Sequence, residues 1–353
     1  MNQSLPAGFP ALPPHLVPAI GLVRAQACST LLAGMANYAR RAARLSHAQA
    51  AAALEALCAQ LPAGEAEPSA PAAPAGPLGL SRLADEDAHD RYFHIYRVSA
   101  SEGTTFLRSI LAAARMFHAE MDAVYAALDA ARFAAVGGGF AALIGQIAEI
   151  RTAPVEHHAA APPAKPIEFV PMRRWLLGHH VFAALTQGII FALQELETAM
   201  HDAVDSRARE ALTLATDLMV ASAVAFRFTA DFKASAYRDV VRPTMMGQDV
   251  GEGFSGLLSL DHRRLVVILG RIRPLMGQAE RRFADEHHRL HLALNHVYDD
   301  HTFVCAQFGG AEKPSLRCPH RSRLPGVEQL ALYQQARVEL LRASSGADTP
   351  IVG

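Results

Sequence analysis

Residues 175–194 form an unbroken charge-free stretch, WLLGHHVFAALTQGIIFALQ, and any fold of this chain must find a place for it. Its length would span a bilayer. Its His179, His180, Gln187 and Gln194 argue against lipid as the surroundings, because polar side chains facing hydrocarbon are costly. The stretch reads as a buried core helix, and no membrane partner is expected.

The rest of the chain supports a helical core. Ala, Leu, Arg, Glu and Gln dominate, and strand-like alternation is scarce. Helical patterning predicts one long or two short helices over 17–60, then a helix over 104–134. Gly137-Gly138-Gly139 reads as a break before a short helix over 140–150. Further helices are predicted over 173–203, 206–233, 259–270, 278–307 and 328–343, with Ser259 as an N-cap and Gly270 as a stop. Residues 62–79, rich in Ala and Pro, read as an exposed mobile loop, and 153–171 as a Pro-rich break. At 353 residues the length prior allows two domains. The helical run is read instead as one all-α domain over 1–353, a helix bundle whose core is large enough to bury a cofactor.

Charge narrows the partners. Lys and Arg number 33 against 34 Asp and Glu, so the chain lacks the basic excess of a nucleic-acid binder. Four cysteines (Cys28, Cys58, Cys305, Cys318) make no disulfide framework in a chain this long, and a reducing cytoplasm is the default. The N-terminus does not read as a secretory signal, since no charged region leads into an apolar one. A homo-oligomer is compatible with the sequence, which does not fix the oligomeric state.

Histidine is the outlier, with 17 in the chain against one Trp. Five of them (His287, His288, His291, His296, His301) crowd into EHHRLHLALNHVYDDHTFVC. Phe283, His287, Leu290, Leu294, Val297, His301, Val304 and Phe308 step by three or four, which is one helix face. His301 therefore faces the core, and Cys305 follows one turn later. His288 and His296 fall off the stripe. A lone inward histidine is more often a hydrogen-bonded core group than a ligand. An imidazole and a thiol one turn apart can also share one planar cofactor. In the usual C-x-x-C-H haem attachment run the order is reversed, and that run is absent.

Leu258, His262, Leu265 and Leu269 form a second inward stripe, preceded by a Gly-rich stretch at Gly247, Gly251, Gly253 and Gly256. His262 is thus a second candidate ligand, or the ordinary residue of a helix start. RCPHRSR offers a rival: His301, Cys305, Cys318 and His320 have the ligand types of a tetrahedral zinc site. His94, beside Tyr92 and Tyr96, reads as ordinary packing or the wall of an aromatic pocket. Arg242, next to Pro243 and close to the Gly-rich stretch, could hold a carboxylate bidentately or join a structural ion pair. There is no G-x-S-x-G elbow and no obvious pair of catalytic carboxylates.

An inward His262 followed by the H-T-F-V-C run from His301 to Cys305 resembles the haem-binding pattern of the histidine-ligated, haem-dependent aromatic oxygenases. That group is related to the tryptophan and indoleamine dioxygenases. The likeness is to its family of 3-methyl-L-tyrosine hydroxylases from saframycin-type pathways. It is carried mainly by residues 237–308, with GEGFSG similar to the Gly/Ser loops of the dioxygenases. The resemblance implies a tryptophan-dioxygenase-like helical bundle around a buried haem. It implies His301 as the proximal iron ligand and His262 as the distal one. Cys305 would make a single thioether to the haem, a c-type attachment. Hydrogen peroxide would be the oxidant, and 3-methyl-L-tyrosine the small-molecule partner, hydroxylated to 3-hydroxy-5-methyl-L-tyrosine in tetrahydroisoquinoline antibiotic biosynthesis. The bis-histidine resting state would require His262 to leave, and it could then act as acid and base. Arg242 and Ser255 are the candidates for the substrate's carboxylate and polar end. An O2-using haem dioxygenase acting on an indole, or a zinc-binding structural or sensor protein, are the alternatives.

Overall fold

The computed structural model of the protein describes residues 8–62, 84–123, 130–150, 170–245, 259–309 and 324–342. Ser255, Cys318, His320 and the Gly-rich stretch lie outside them, as do residues 63–79 and 153–169 of the two Pro-rich segments.

Helices dominate. In chain order they are α1 (Ile20–Gln26), α2 (Ser29–Arg41), α3 (His47–Cys58), α4 (Ala84–Tyr92), α5 (Glu102–Ala123), α6 (Ala130–Ile147), α7 (Pro171–His201) and α8 (Asp205–Thr229). Then come two single turns, α9 (Ala234–Ala236) and α10 (Arg242–Thr244), with a π-helical turn at Tyr237–Val241 between them. α11 (Leu260–Arg282), α12 (Ala284–Gln307) and α13 (Gly326–Val338) complete the set. The fold is all-α apart from two three-residue strands, β1 (Phe9–Ala11) and β2 (Ile95–Arg97), which pair in parallel.

The charge-free stretch lies within α7. Both α7 and α8 are long and apolar enough to cross a membrane, but 89% of the apolar window of α7 and 67% of that of α8 are buried inside the protein. They are the core helices about which the bundle is built: α7 packs along α8, and α8 packs against α6 and α12. Small residues set the spacing. Gly178 of α7 lies so close to Thr229 of α8 that a Cβ there would stand 2.8 Å from the Thr229 Cα.

Several boundaries differ from the sequence expectation. Region 17–60 makes three helices rather than two, the third opened by a capping box in which Ser46 and Gln49 bond reciprocally at 3.0 and 3.2 Å. Gly137-Gly138-Gly139 does not break the chain, because α6 runs through it. At Gly139 a Cβ would meet that of Ala221 at 2.6 Å, so the glycine serves helix contact. Gly270 does not stop α11, which continues through Pro274 to Arg282. The break falls instead at Phe283, between α11 and α12, where ψ turns to 51°.

Buried ion pairs join the helices. Arg174 of α7 is fully buried, contacts Glu120 of α5 at 3.2 Å and Asp231 at 3.5 Å, and lies over the Phe228 ring. Arg97 at the end of β2 sits between Asp90 and Asp261.

Candidate functional site

α11 begins where Ser259 caps it, its hydroxyl accepting from the His262 N–H at 3.4 Å. This fixes the first turn, which carries His262. The preceding residue, Asp261, is fully buried. It accepts two bonds from Arg97, at 3.0 and 3.1 Å, and one from Gln187 of α7 at 2.9 Å. Arg97 turns its other side to Asp90 with bonds of 2.8 and 2.9 Å. The start of α11 is thereby tied to β2, α4 and α7.

α12 is held from α8. Arg227 donates to Asp300 at 2.7 Å, and its guanidinium lies 3.4 Å from the centre of the Phe303 ring. Between those two contacts His301 stacks on Phe226, centroids 4.4 Å apart and planes 10° from parallel. Along the inward stripe read from the periodicity, Phe283, His287, Leu290, Leu294 and Val304 are buried, and Val297, His301 and Phe308 are half-buried. His287 is a core group, bonded through Nε2 to the Leu341 carbonyl at 2.8 Å. His288 and His296 are exposed.

His262, His301 and Cys305 line one cavity of about 290 Å³. α7 contributes Trp175, His179, Phe182 and Thr186 to its wall, α8 contributes Phe226, and α13 contributes Tyr333 and Arg337. Arg242 and Tyr237 close another side. Four candidates from sequence, His262, His301, Cys305 and Arg242, thus meet at one place, while Ser255 is outside the described residues. Of the zinc set, only His301 and Cys305 are described. No cluster of three or more metal-type ligands occurs among the described residues. His94 is not on this wall. It sits in the turn after α4 with φ 54°, and its neighbour His89 lines the cavity instead.

Burial sets the protonation states. It lowers His301 to about 4, with a smaller push from His262. It also lowers His262 to about 4, assisted by the charge of Arg337. Both imidazoles are neutral at pH 7 and keep a lone pair for a metal or a proton. Burial raises the Cys305 thiol to about 11, so it is held as S–H rather than thiolate. His179 is brought down to about 3 by burial, against a hydrogen bond between its Nδ1 and the Trp175 carbonyl at 2.7 Å. Its ring stacks on Phe93 with centroids 3.7 Å apart. Tyr237 is pushed up to about 12 by burial, and it stacks face to face with Phe308.

His89, His179 and Arg337 were not singled out by sequence reasoning. Each lies on a different helix, and no spacing links them to His301. His179 alone had a signal, as a polar residue inside the charge-free core helix.

The fold and cavity define a class: an all-helical protein that brings imidazoles, a thiol and guanidinium groups to one largely apolar pocket. The chain belongs to the SfmD 3-methyl-L-tyrosine peroxygenase family, whose model matches residues 4–289. That match includes His262 and ends short of His301 and Cys305. A 3-methyl-L-tyrosine peroxygenase of Streptomyces lavendulae is 29% identical over 206 residues, covering 58% of this chain and 56% of the relative. The aligned chain thus spans little more than half the length of that relative. Among solved structures, the crystal structure of SfmD reduced by soaking with sodium hydrosulfite is similar, with a TM-score of 0.68 at 26% identity. It covers 84% of this chain and 97% of the other.

Proposed function

We propose that the chain is a haem-dependent peroxygenase that hydroxylates the ring of an aromatic amino acid, 3-methyl-L-tyrosine, using hydrogen peroxide. The observation that carries this reading is the convergence of His262 from α11 with His301 and Cys305 from α12 on one apolar cavity. Family membership supports it, as does the relative's description as reduced by sodium hydrosulfite, which suits a redox-active group.

The residues fit a haem. Two neutral imidazoles suit its iron, a protonated thiol suits a thioether to its edge, and apolar and aromatic walls suit its faces. The guanidiniums of Arg242 and Arg337 suit its acidic side chains or those of a substrate. When bound, the haem would supply oxygen transfer from peroxide to the ring.

The protein's own groups would do the rest. His301 and Cys305 would hold the cofactor from one helix, so that its position is fixed to α12. His262 lies on another helix and would also reach the cofactor's iron. Neutral at pH 7, it would be the group that accepts a proton at its ring nitrogen. Arg242 would bind the substrate's carboxylate, with Ser255 at its polar end. The apolar lining from Phe182, Phe226, Leu294 and Val297 would exclude water from the reacting ring. One all-α domain, working in the cytoplasm, is the organisation proposed for 1–353.

Incubating the purified holoprotein with 3-methyl-L-tyrosine and hydrogen peroxide tests the reading. A product one oxygen atom heavier, formed with peroxide and not with O2 alone, is expected. A product formed only with O2 and a reductant, or none with either oxidant, would overturn it.

A further inference from the structure

The arginines in and near this cavity are not treated alike. Arg97 is met by Asp90 and Asp261, and Arg174 by Glu120 and Asp231. Arg337 of α13 lines the cavity, and among the described residues its buried Nε has no hydrogen-bond partner. Arg264 and Arg273 also keep an unpartnered Nε, but neither lines the cavity. No Asp or Glu lines the cavity among the described residues. A donor N–H withdrawn from water without a partner is unfavourable, and the arrangement is relieved by an acceptor, best an anion, entering the pocket.

Its surroundings specify the kind of anion. Arg337 lies near Tyr333, with the guanidinium carbon 5.8 Å from the ring centre. Tyr298 and His262 line the same cavity as Arg337 and Tyr333. A planar guanidinium sharing a cavity with two phenols offers N–H donors in a fork, and hydroxyls, to a planar carboxylate.

We propose that Arg337 is a carboxylate anchor of this cavity, aided by Tyr298 and Tyr333, at the side occupied by His262. The inference rests on the proposed function for the identity of the ligand. The carboxylate is a propionate of the haem, or that of the amino-acid substrate, which Arg337 would then hold jointly with Arg242; the two sources are separable by experiment.

The test compares wild type, Arg337→Gln and Arg337→Lys as purified holoprotein. Binding of 3-methyl-L-tyrosine and of its decarboxylated amine is measured by calorimetry. Haem occupancy is measured in the Cys305→Ala background, where retention depends on noncovalent contacts. If the substrate is the source, Arg337→Gln weakens 3-methyl-L-tyrosine binding by roughly tenfold to a hundredfold, leaving the amine unaffected. Arg337→Lys restores part of that loss, since it keeps the charge without the fork. If a propionate is the source, haem occupancy falls with Arg337→Gln and substrate affinity holds. Unchanged substrate affinity and unchanged haem occupancy in Arg337→Gln would overturn the anchor. Should that variant fail to fold, Arg337→Lys carries the same comparison. A wild type without haem that still binds 3-methyl-L-tyrosine in an Arg337-dependent way would uphold the anchor and overturn the haem reading. A wild type that holds neither haem nor substrate would overturn both.

Discussion

Arg97 grips both carboxylate oxygens of Asp261, at 3.1 and 3.0 Å, and Asp261 immediately precedes His262. The pair is buried, with side-chain exposures of 5% and 1%. This ion pair aims the first turn of α11 into the cavity. Asp261→Asn keeps the size of the side chain and removes the charge, leaving Arg97 with Asp90 alone. A loss of about 3 kcal/mol in stability is expected. Thermal unfolding of the variant measures it. Loosening of His262 should also appear as a shift in the Soret band of the holoprotein. An unchanged melting temperature would show that the pair does not hold the helix start.

Two glycines in long helices should respond oppositely to the same substitution. At Gly178 a Cβ would collide with Thr229, including its backbone Cα at 2.8 Å. Gly178→Ala should therefore cost about 2 kcal/mol or more, because α7 and α8 would have to move apart. At Gly270 a Cβ would meet nothing within 4 Å. Gly270→Ala should be stabilising by about 0.5–1 kcal/mol through helix propensity. Denaturant unfolding of both variants checks the contrast. Equal effects would mean that the α7–α8 approach is not tight.

His180 gives the pH dependence a definite sign. It is buried, its Nε2 bonds to the Phe93 carbonyl at 2.6 Å, and it stacks on Phe9. Burial lowers its pKa from 6.5 to about 4, opposed by that hydrogen bond. The unfolded chain takes up the proton first as pH falls, so the contribution of a neutral buried His180 is intact above about 6.5. It is lost progressively down to about 4. Asp217, raised to about 6 by burial, acts in the opposite sense over part of that window. A difference measurement separates them. His180→Gln should be less stable than wild type at pH 7, with the gap narrowing by about 2–3 kcal/mol between pH 6.5 and 4. A gap independent of pH would contradict the assignment.

Much of the site could be read from helix periodicity. The stripes through His262 and His301 are faces of single helices, and an i, i+4 relation puts Cys305 beside His301 whatever the rest of the chain does. Arg242 was reachable from its place beside the Gly-rich stretch. His89 and Arg337 were not, because the contacts that bring α4 and α13 to the cavity are set by tertiary packing. Glycine misled twice. Gly137-Gly138-Gly139 and Gly270 look like punctuation in sequence, yet they lie inside α6 and α11. At Gly139 the small residue permits the close approach of α8, and a local propensity argument has no access to that neighbour. The break that does occur, at Phe283, falls at a residue with no breaker character.

In the proposed function His301 and Cys305 hold a haem together from one turn of α12. The direct measurement is the visible spectrum of the purified protein, followed by acid–acetone extraction, for wild type and for Cys305→Ala. A Soret band is expected in both, with haem remaining on the wild-type polypeptide and released from the variant. Haem extracted equally from both, or a wild-type protein with no Soret band, would contradict it.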